Sequence, residues 1–148
     1  MFYTKAESHV SILAPINGII LPYEESIDKL NGHEGLALIA SSETVVSPIN
    51  GILSGINTNR KECSILGDFG EILKIRLLSP HTVIQRQATE QRIRVGEPLF
   101  RIQKLTHRIH TALPLITLIL DNSDDFRAIT VFEGICRSVG TEIMSFCK

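Results

Sequence analysis

The sequence predicts an all-β fold, a β-sandwich of antiparallel strands with one or two short helices, and three observations carry that expectation. Strand-like segments recur every eight to twelve residues, split by Gly, Asn, Asp and Pro, which is the rhythm of a sandwich or barrel. One phrase occurs twice, thirty-three residues apart: Ala14-Pro15-Ile16-Asn17-Gly18-Ile19-Ile20 and Ser47-Pro48-Ile49-Asn50-Gly51-Ile52-Leu53. Each copy reads as an entry turn followed by a strand, with Asn-Gly supplying the positive φ angles of a tight turn, so the structural unit is duplicated. Helical periodicity is scarce.

Taken in order, the predicted strands are Ile12–Leu13, Gly18–Pro22, Leu36–Ala40, Thr44–Val46, Gly51–Ile56 and Cys63–Leu66, then Ile72–Leu77, Arg92–Val95 and Leu99–Gln103. Leu115–Leu120, Ala128–Phe132 and Glu142–Phe146 complete the set. Within Ile72–Leu77 a period of two places Lys74 and Arg76 on one face with Ile72, and Leu73, Ile75 and Leu77 on the other. Tyr23 to Leu30 is expected to hold a helical turn. Gln103 to Ala112, with Leu105 and Ile109 at four-residue spacing and Pro114 just beyond, is the one predicted amphipathic helix. Asp121-Asn122-Ser123-Asp124-Asp125 reads as a turn, because it lacks the spaced Gly and closing Glu of a calcium loop. A second repeat pairs Arg94-Val95-Gly96-Glu97-Pro98-Leu99 with Ser138-Val139-Gly140-Thr141-Glu142-Ile143. Its turns are expected opposite the Pro-x-Asn-Gly turns.

Composition narrows the function classes. The 148 residues suit one domain, residues 1–148, with 43% hydrophobic content and a net charge of −1. No long-range field points to nucleic acid or an anionic membrane. The longest apolar run, Ala112 to Leu120, is far shorter than a bilayer span and contains Pro114, so it reads as a buried strand. The start of the chain lacks the pattern of a signal peptide, and Cys63, Cys136 and Cys147 form neither a metal spacing nor an even disulfide set. These features predict a cytoplasmic protein with reduced thiols, no cofactor, no metal and no membrane insertion.

The order of phrases resembles the glucose-type IIA component of the bacterial phosphoenolpyruvate:sugar phosphotransferase system. The residues that carry the likeness are the two Pro-x-Asn-Gly phrases, Gly32-His33-Glu34-Gly35-Leu36-Ala37-Leu38-Ile39, and Gly70-Glu71-Ile72-Leu73-Lys74-Ile75-Arg76. Ser79-Pro80-His81-Thr82-Val83 and Arg94-Val95-Gly96-Glu97-Pro98-Leu99 follow in the same order. The resemblance covers nearly the whole chain and implies a duplicated hybrid β motif. It also implies a role in sugar transport, with a histidine phosphocarrier protein, a IIB domain or a sugar transporter as partners.

In that family one histidine ends the strand matching Ile72–Arg76 and accepts the phosphoryl group, while a second lies against it and stabilises the phosphate. Here the nucleophile position is Arg76, and the partner position is Lys61, or Arg60 if the gap falls one residue earlier. Guanidinium stays protonated and offers no lone pair, so phosphoryl relay by the family route is not expected. The rim of the inferred site would hold Glu34, His33 and His81. Two readings of Arg76, Lys61 and Arg60 stand side by side: solvated surface charges, or a basic pocket whose guanidinium binds an anion such as phosphate.

Three function hypotheses follow from the resemblance. The first is a divergent pseudoenzyme that binds or regulates a partner, for which Ile75, Leu77 and Leu78 are the candidate apolar surface if exposed. The second is a working phosphocarrier that takes phosphate on a relocated histidine, His81 or His33, and hands it to a permease IIB domain. Whether the chain is an enzyme turns on that choice. The third, a biotinyl carrier or a zinc peptidase of related architecture, lacks the hairpin Lys and the spaced ligands those need. Two lesser alternatives to ordinary structural roles are a Cys63 thiol of lowered pKa near Lys61, and a His107/His110 pair at metal-compatible spacing but without a third ligand.

Overall fold

The computed structural model describes residues 9–57, 59–85, 91–103 and 113–148. Strands β1 (His9–Leu13), β2 (Gly18–Ile20), β3 (Glu34–Ala40), β4 (Thr44–Val46), β5 (Gly51–Asn57), β6 (Glu62–Gly67) and β7 (Ile72–Leu77) lead the chain. After them come β8 (Thr82–Gln85), β9 (Gln91–Ile93), β10 (Pro98–Gln103), β11 (Leu115–Leu120), β12 (Arg127–Val131), β13 (Gly134–Cys136) and β14 (Glu142–Cys147). Helix α1 spans Tyr23–Leu30, a full element where the sequence suggested a turn. It ends at Asn31 and Gly32, both left-handed (φ 50° and 81°), which is how a helix terminates when its last carbonyls need capping. Ser123–Asp125 forms a single 3-10 turn, in line with the turn expected there. The amphipathic helix predicted over Gln103–Ala112 lies outside the described residues.

Every strand pair is antiparallel. Eight strands form one sheet in the order β13-β2-β3-β11-β7-β6-β5-β9, and two three-stranded sheets run β1-β14-β12 and β4-β10-β8. The order reads the same when the two sequence repeats are exchanged. β2 and β5 hold equivalent places, as do β3 and β6, β11 and β7, and the edge strands β13 and β9. Likewise β1-β14-β12 is the counterpart of β4-β10-β8. The duplicated phrase therefore marks a duplicated half of the fold, with β7 and β11 meeting at the middle of the large sheet.

Buried residues of all three sheets converge on one core, including Ile12, Phe146, Phe100, Ile102, Leu38, Ile65, Leu73, Ile75 and Leu118. Truncating a fully enclosed member such as Ile75 to Ala costs about 2–5 kcal/mol on general grounds. Strands β8 and β13 were not among the predicted elements. Thr82–Gln85 is four residues long and Gly134–Cys136 three. Neither shows a readable period.

The glycines of the two Asn-Gly pairs are needed for a reason other than turn geometry. Among the described residues the positive-φ glycines are Gly32, Gly70, Gly96 and Gly134, so Gly18 and Gly51 are not among them. They open β2 and β5, where a Cβ would stand 2.2 Å from the carbonyl oxygens of Ile39 and Leu66 respectively. Close approach of the neighbouring strand excludes a side chain at both places. The asparagines beside them reach across the repeat: Asn17 Oδ1 accepts the Ser138 N–H at 2.7 Å, and Asn50 Oδ1 accepts the Val95 N–H at 2.8 Å. The Val-Gly turns thus dock on the Asn-Gly turns. In this docking Ala14 and Ser47 carbonyls accept the N–H groups of Val139 and Gly96, both 2.8 Å away. The docked register makes Val139 the counterpart of Gly96, one residue out of step with the Val-Gly phrases. Gly96 has φ 90° and Val139 φ 49°, so a β-branched residue occupies a left-handed position that glycine fills in the twin.

Candidate functional site

Strand β7 buries Leu73, Ile75 and Leu77 and turns Lys74 and Arg76 outward, as its period of two requires. Register then fixes their neighbours. Arg76 stands opposite Glu62 of β6 and Thr117 of β11, while Lys74 stands opposite Ser64 and Ile119. The end of α1 and the loop after it add a wall, with Lys29, Leu30, Asn31 and His33 completing a cavity of about 150 Å³. Leu78, Thr117, Ile119 and Asp121 form the remainder of its lining. A broader cleft of about 440 Å³, lined by Ser54, Ile56, Asn57, Ser64 and the shared Glu62 and Lys74, opens beside it.

The charges in the cavity are unequally committed. Lys74 Nζ sits 3.6 Å from Asp121 Oδ1, and Lys29 Nζ donates to its own helix at the Glu25 carbonyl, 3.1 Å away. Arg76 is exposed, and its guanidinium makes no hydrogen bond or ion pair with another described residue. Lys29, Lys74 and Arg76 face Glu62 and Asp121, so the lining holds three full cations against two carboxylates. His33 adds an exposed imidazole to the same wall. An uncommitted planar fork beside a second cation matches the geometry and charge of a phosphate or carboxylate.

The residues singled out from sequence fall into different places. Arg76 and His33 line the cavity together. Glu34 opens β3, exposed, one residue beyond His33, and is not among the lining residues. Lys61 sits in the left-handed region (φ 53°) at the tight turn into β6. From there its Nζ donates to the carbonyls of Ser79 (2.5 Å) and His81 (3.2 Å), so it ties the β6 entry to the loop after β7. Arg60 is exposed in the same turn, its N–H donating to Asn57 Oδ1 at 3.1 Å. His81 is only 3% exposed and its Nδ1 lies 2.7 Å from Ser79 Oγ, outside the cavity.

Two expectations are corrected. Ile75 and Leu77 are core residues, 0% and 1% exposed, because they occupy the inward phase of β7; of the proposed apolar surface only Leu78 reaches the cavity. The Cys63 thiol is pushed up to about 12, not lowered: burial disfavours the thiolate, and a backbone hydrogen bond at Ile75 offsets this only in part. Cys63, Cys136 and Cys147 are all free thiols. His107 and His110 lie outside the described residues. No group of three or more His, Cys, Asp or Glu able to hold a metal occurs among the described residues, and no helix among them is long and apolar enough to cross a membrane.

Sequence reasoning missed Lys29, Asn31, Glu62, Thr117 and Asp121 as wall residues. Lys74 was legible, since it shares the outward phase of Arg76. The others join the cavity through helix placement and strand register, which no local pattern encodes.

No family profile and no curated protein sequence matches the chain. Among solved structures it is similar to the glucose permease IIA from Mycoplasma capricolum, with a TM-score of 0.72 and 15% sequence identity. The alignment covers 98% of this chain and 99% of that one. At that identity the likeness is one of architecture, and it extends across the whole chain: this protein has the all-β fold of a glucose permease IIA.

Proposed function

We propose that this chain is a divergent IIA-like protein of a cytoplasmic sugar phosphotransferase system that binds phosphate-bearing partners without relaying phosphate by the usual histidine route. Arg76, standing uncommitted in a cavity with Lys29 and Lys74, carries this reading. A guanidinium cannot accept a phosphoryl group, but it binds one well. The partners this reading implies are the histidine phosphocarrier protein, a IIB domain or a sugar transporter, with Arg76 holding an anionic group at the contact.

A second reading has one observation in its favour. His33, and not His81, lines the cavity with Arg76, so a phosphocarrier version of the protein would use His33. An imidazole nitrogen of His33 would form the new N–P bond as the bond to the donor histidine breaks, with Arg76 and Lys74 facing the transferred oxygens.

Intact mass after incubation with phosphoenolpyruvate, the upstream kinase and the histidine phosphocarrier separates the two. The binding reading expects no added phosphate, together with saturable binding of inorganic phosphate that Arg76→Gln weakens. A gain of one acid-labile phosphate that His33→Ala abolishes would replace it with the carrier reading.

A further inference from the structure

The two ends of the eight-stranded sheet are equivalent by the internal duplication, yet they are finished differently. At one end β9 pairs with β5, Arg92 standing opposite Ile52. At the other β13 pairs with β2, Ile135 standing opposite Ile19. Arg92 and Ile135 are therefore twins. Arg92 is tied to Asp68, just past the end of β6, by two contacts of 2.7 and 2.8 Å, so a charged pair lies across the last strands at that end. Charged side chains of this kind keep a foreign strand from adding to a sheet. Ile135 has no such guard. It is 81% exposed and its cross-strand neighbour Ile19 is 53% exposed, so an apolar pair crosses the last two strands in the open.

We propose that β13 is a self-pairing edge, on which a second copy of this chain adds its own β13 antiparallel, centred on Ile135. Charge order argues for a second copy over any other strand. Glu133 and Arg137 flank Ile135 at two residues on either side, and both are exposed. Neither side chain makes a hydrogen bond or ion pair with a described residue. Antiparallel pairing about residue 135 sets position 133 of one copy against position 137 of the other. Each Glu133 then meets an Arg137, twice per dimer, as an isologous contact demands. Gly134 leaves β13 unobstructed on its own face, since a Cβ there would meet nothing within 4 Å.

Sedimentation velocity from about 5 to about 500 µM tests this, since a short edge contact is expected to be weak. The wild-type chain should shift from monomer to dimer across that range. Ile135→Arg, which copies the residue of the guarded twin, should weaken dimerisation by about tenfold or more. Glu133→Arg alone and Arg137→Glu alone should do the same by placing like charges opposite one another. The double variant Glu133→Arg/Arg137→Glu should restore the dimer, which a folding defect would not. A wild-type monomer throughout, an undiminished Ile135→Arg dimer, or a double variant no better than the single ones would each overturn the proposal.

Discussion

Asn50 holds Val95 across the repeat just as Asn17 holds Ser138: in each case a side-chain oxygen from one Pro-x-Asn-Gly turn accepts a backbone N–H from the turn docked on it. The two bonds are internal controls for one another. Asn17→Ala and Asn50→Ala should each destabilise by about 1 kcal/mol, because each leaves a turn N–H without its protein acceptor. The sites are built from different pairs of turns, so the double variant should lose the sum to within about 0.5 kcal/mol. Urea unfolding midpoints measure all three. One variant costing nothing while its twin costs the expected amount would show that the turns are equivalent only in shape.

That relationship also shows how much of the fold the sequence exposes. The Pro-x-Asn-Gly repeat and the Val-Gly repeat are both visible in the chain, and together they mark the four turns that dock in pairs. What the residues do there is less visible. Gly18 and Gly51 suggest positive φ, but their requirement comes from a strand carbonyl 2.2 Å from where a Cβ would be, belonging to Ile39 and Leu66 on the neighbouring strands. In the site, Arg76 and Lys74 follow from a local period of two. The resemblance suggests Lys61, or Arg60, for the second position, yet the left-handed backbone of Lys61 directs its ammonium onto the Ser79 and His81 carbonyls. Short-range pattern reveals which face a residue takes; it does not reveal where a turn aims a long side chain.

Glu71 should make stability fall as pH rises above about 4.5. Its carboxyl is 1% exposed, seated where the bare Gly67 leaves room for it, and Oε1 accepts the Phe69 N–H at 3.0 Å. Burial raises its pKa above the ordinary 4.5, the backbone hydrogen bonds of Phe69 and Glu71 offsetting only part of the effect. The folded chain therefore keeps this proton where the unfolded chain releases it. From pH 4.5 up to the folded value, unfolding free energy declines with each step in pH; below 4.5 both states are protonated and the slope vanishes. Glu71→Gln keeps the acceptor for Phe69 and removes the titration. Its stability relative to wild type should rise between pH 4.5 and 7.5 in urea denaturation, and a gap that stays flat or narrows would show that the carboxyl ionises freely in the fold.

The resemblance sets Arg76, with Lys61 or Arg60, at the positions of that family's paired histidines, and the surroundings of Lys61 and Arg76 point to opposite duties. Lys61 donates to two carbonyls and holds the loop after β7, so Lys61→Met removes two charge-assisted bonds and should cost about 2 kcal/mol. Arg76 is exposed with an uncommitted guanidinium, so Arg76→Gln should change stability by less than about 0.5 kcal/mol. For inorganic phosphate the order reverses. Arg76→Gln should weaken binding by about tenfold, the worth of one bidentate charged contact, while Lys61→Met leaves it nearly unchanged. Calorimetric titration paired with unfolding midpoints reads both quantities on the same samples. If Lys61→Met weakened phosphate binding as much as Arg76→Gln, the ammonium would have to leave its carbonyls to reach the anion, and the two cations would form one site after all.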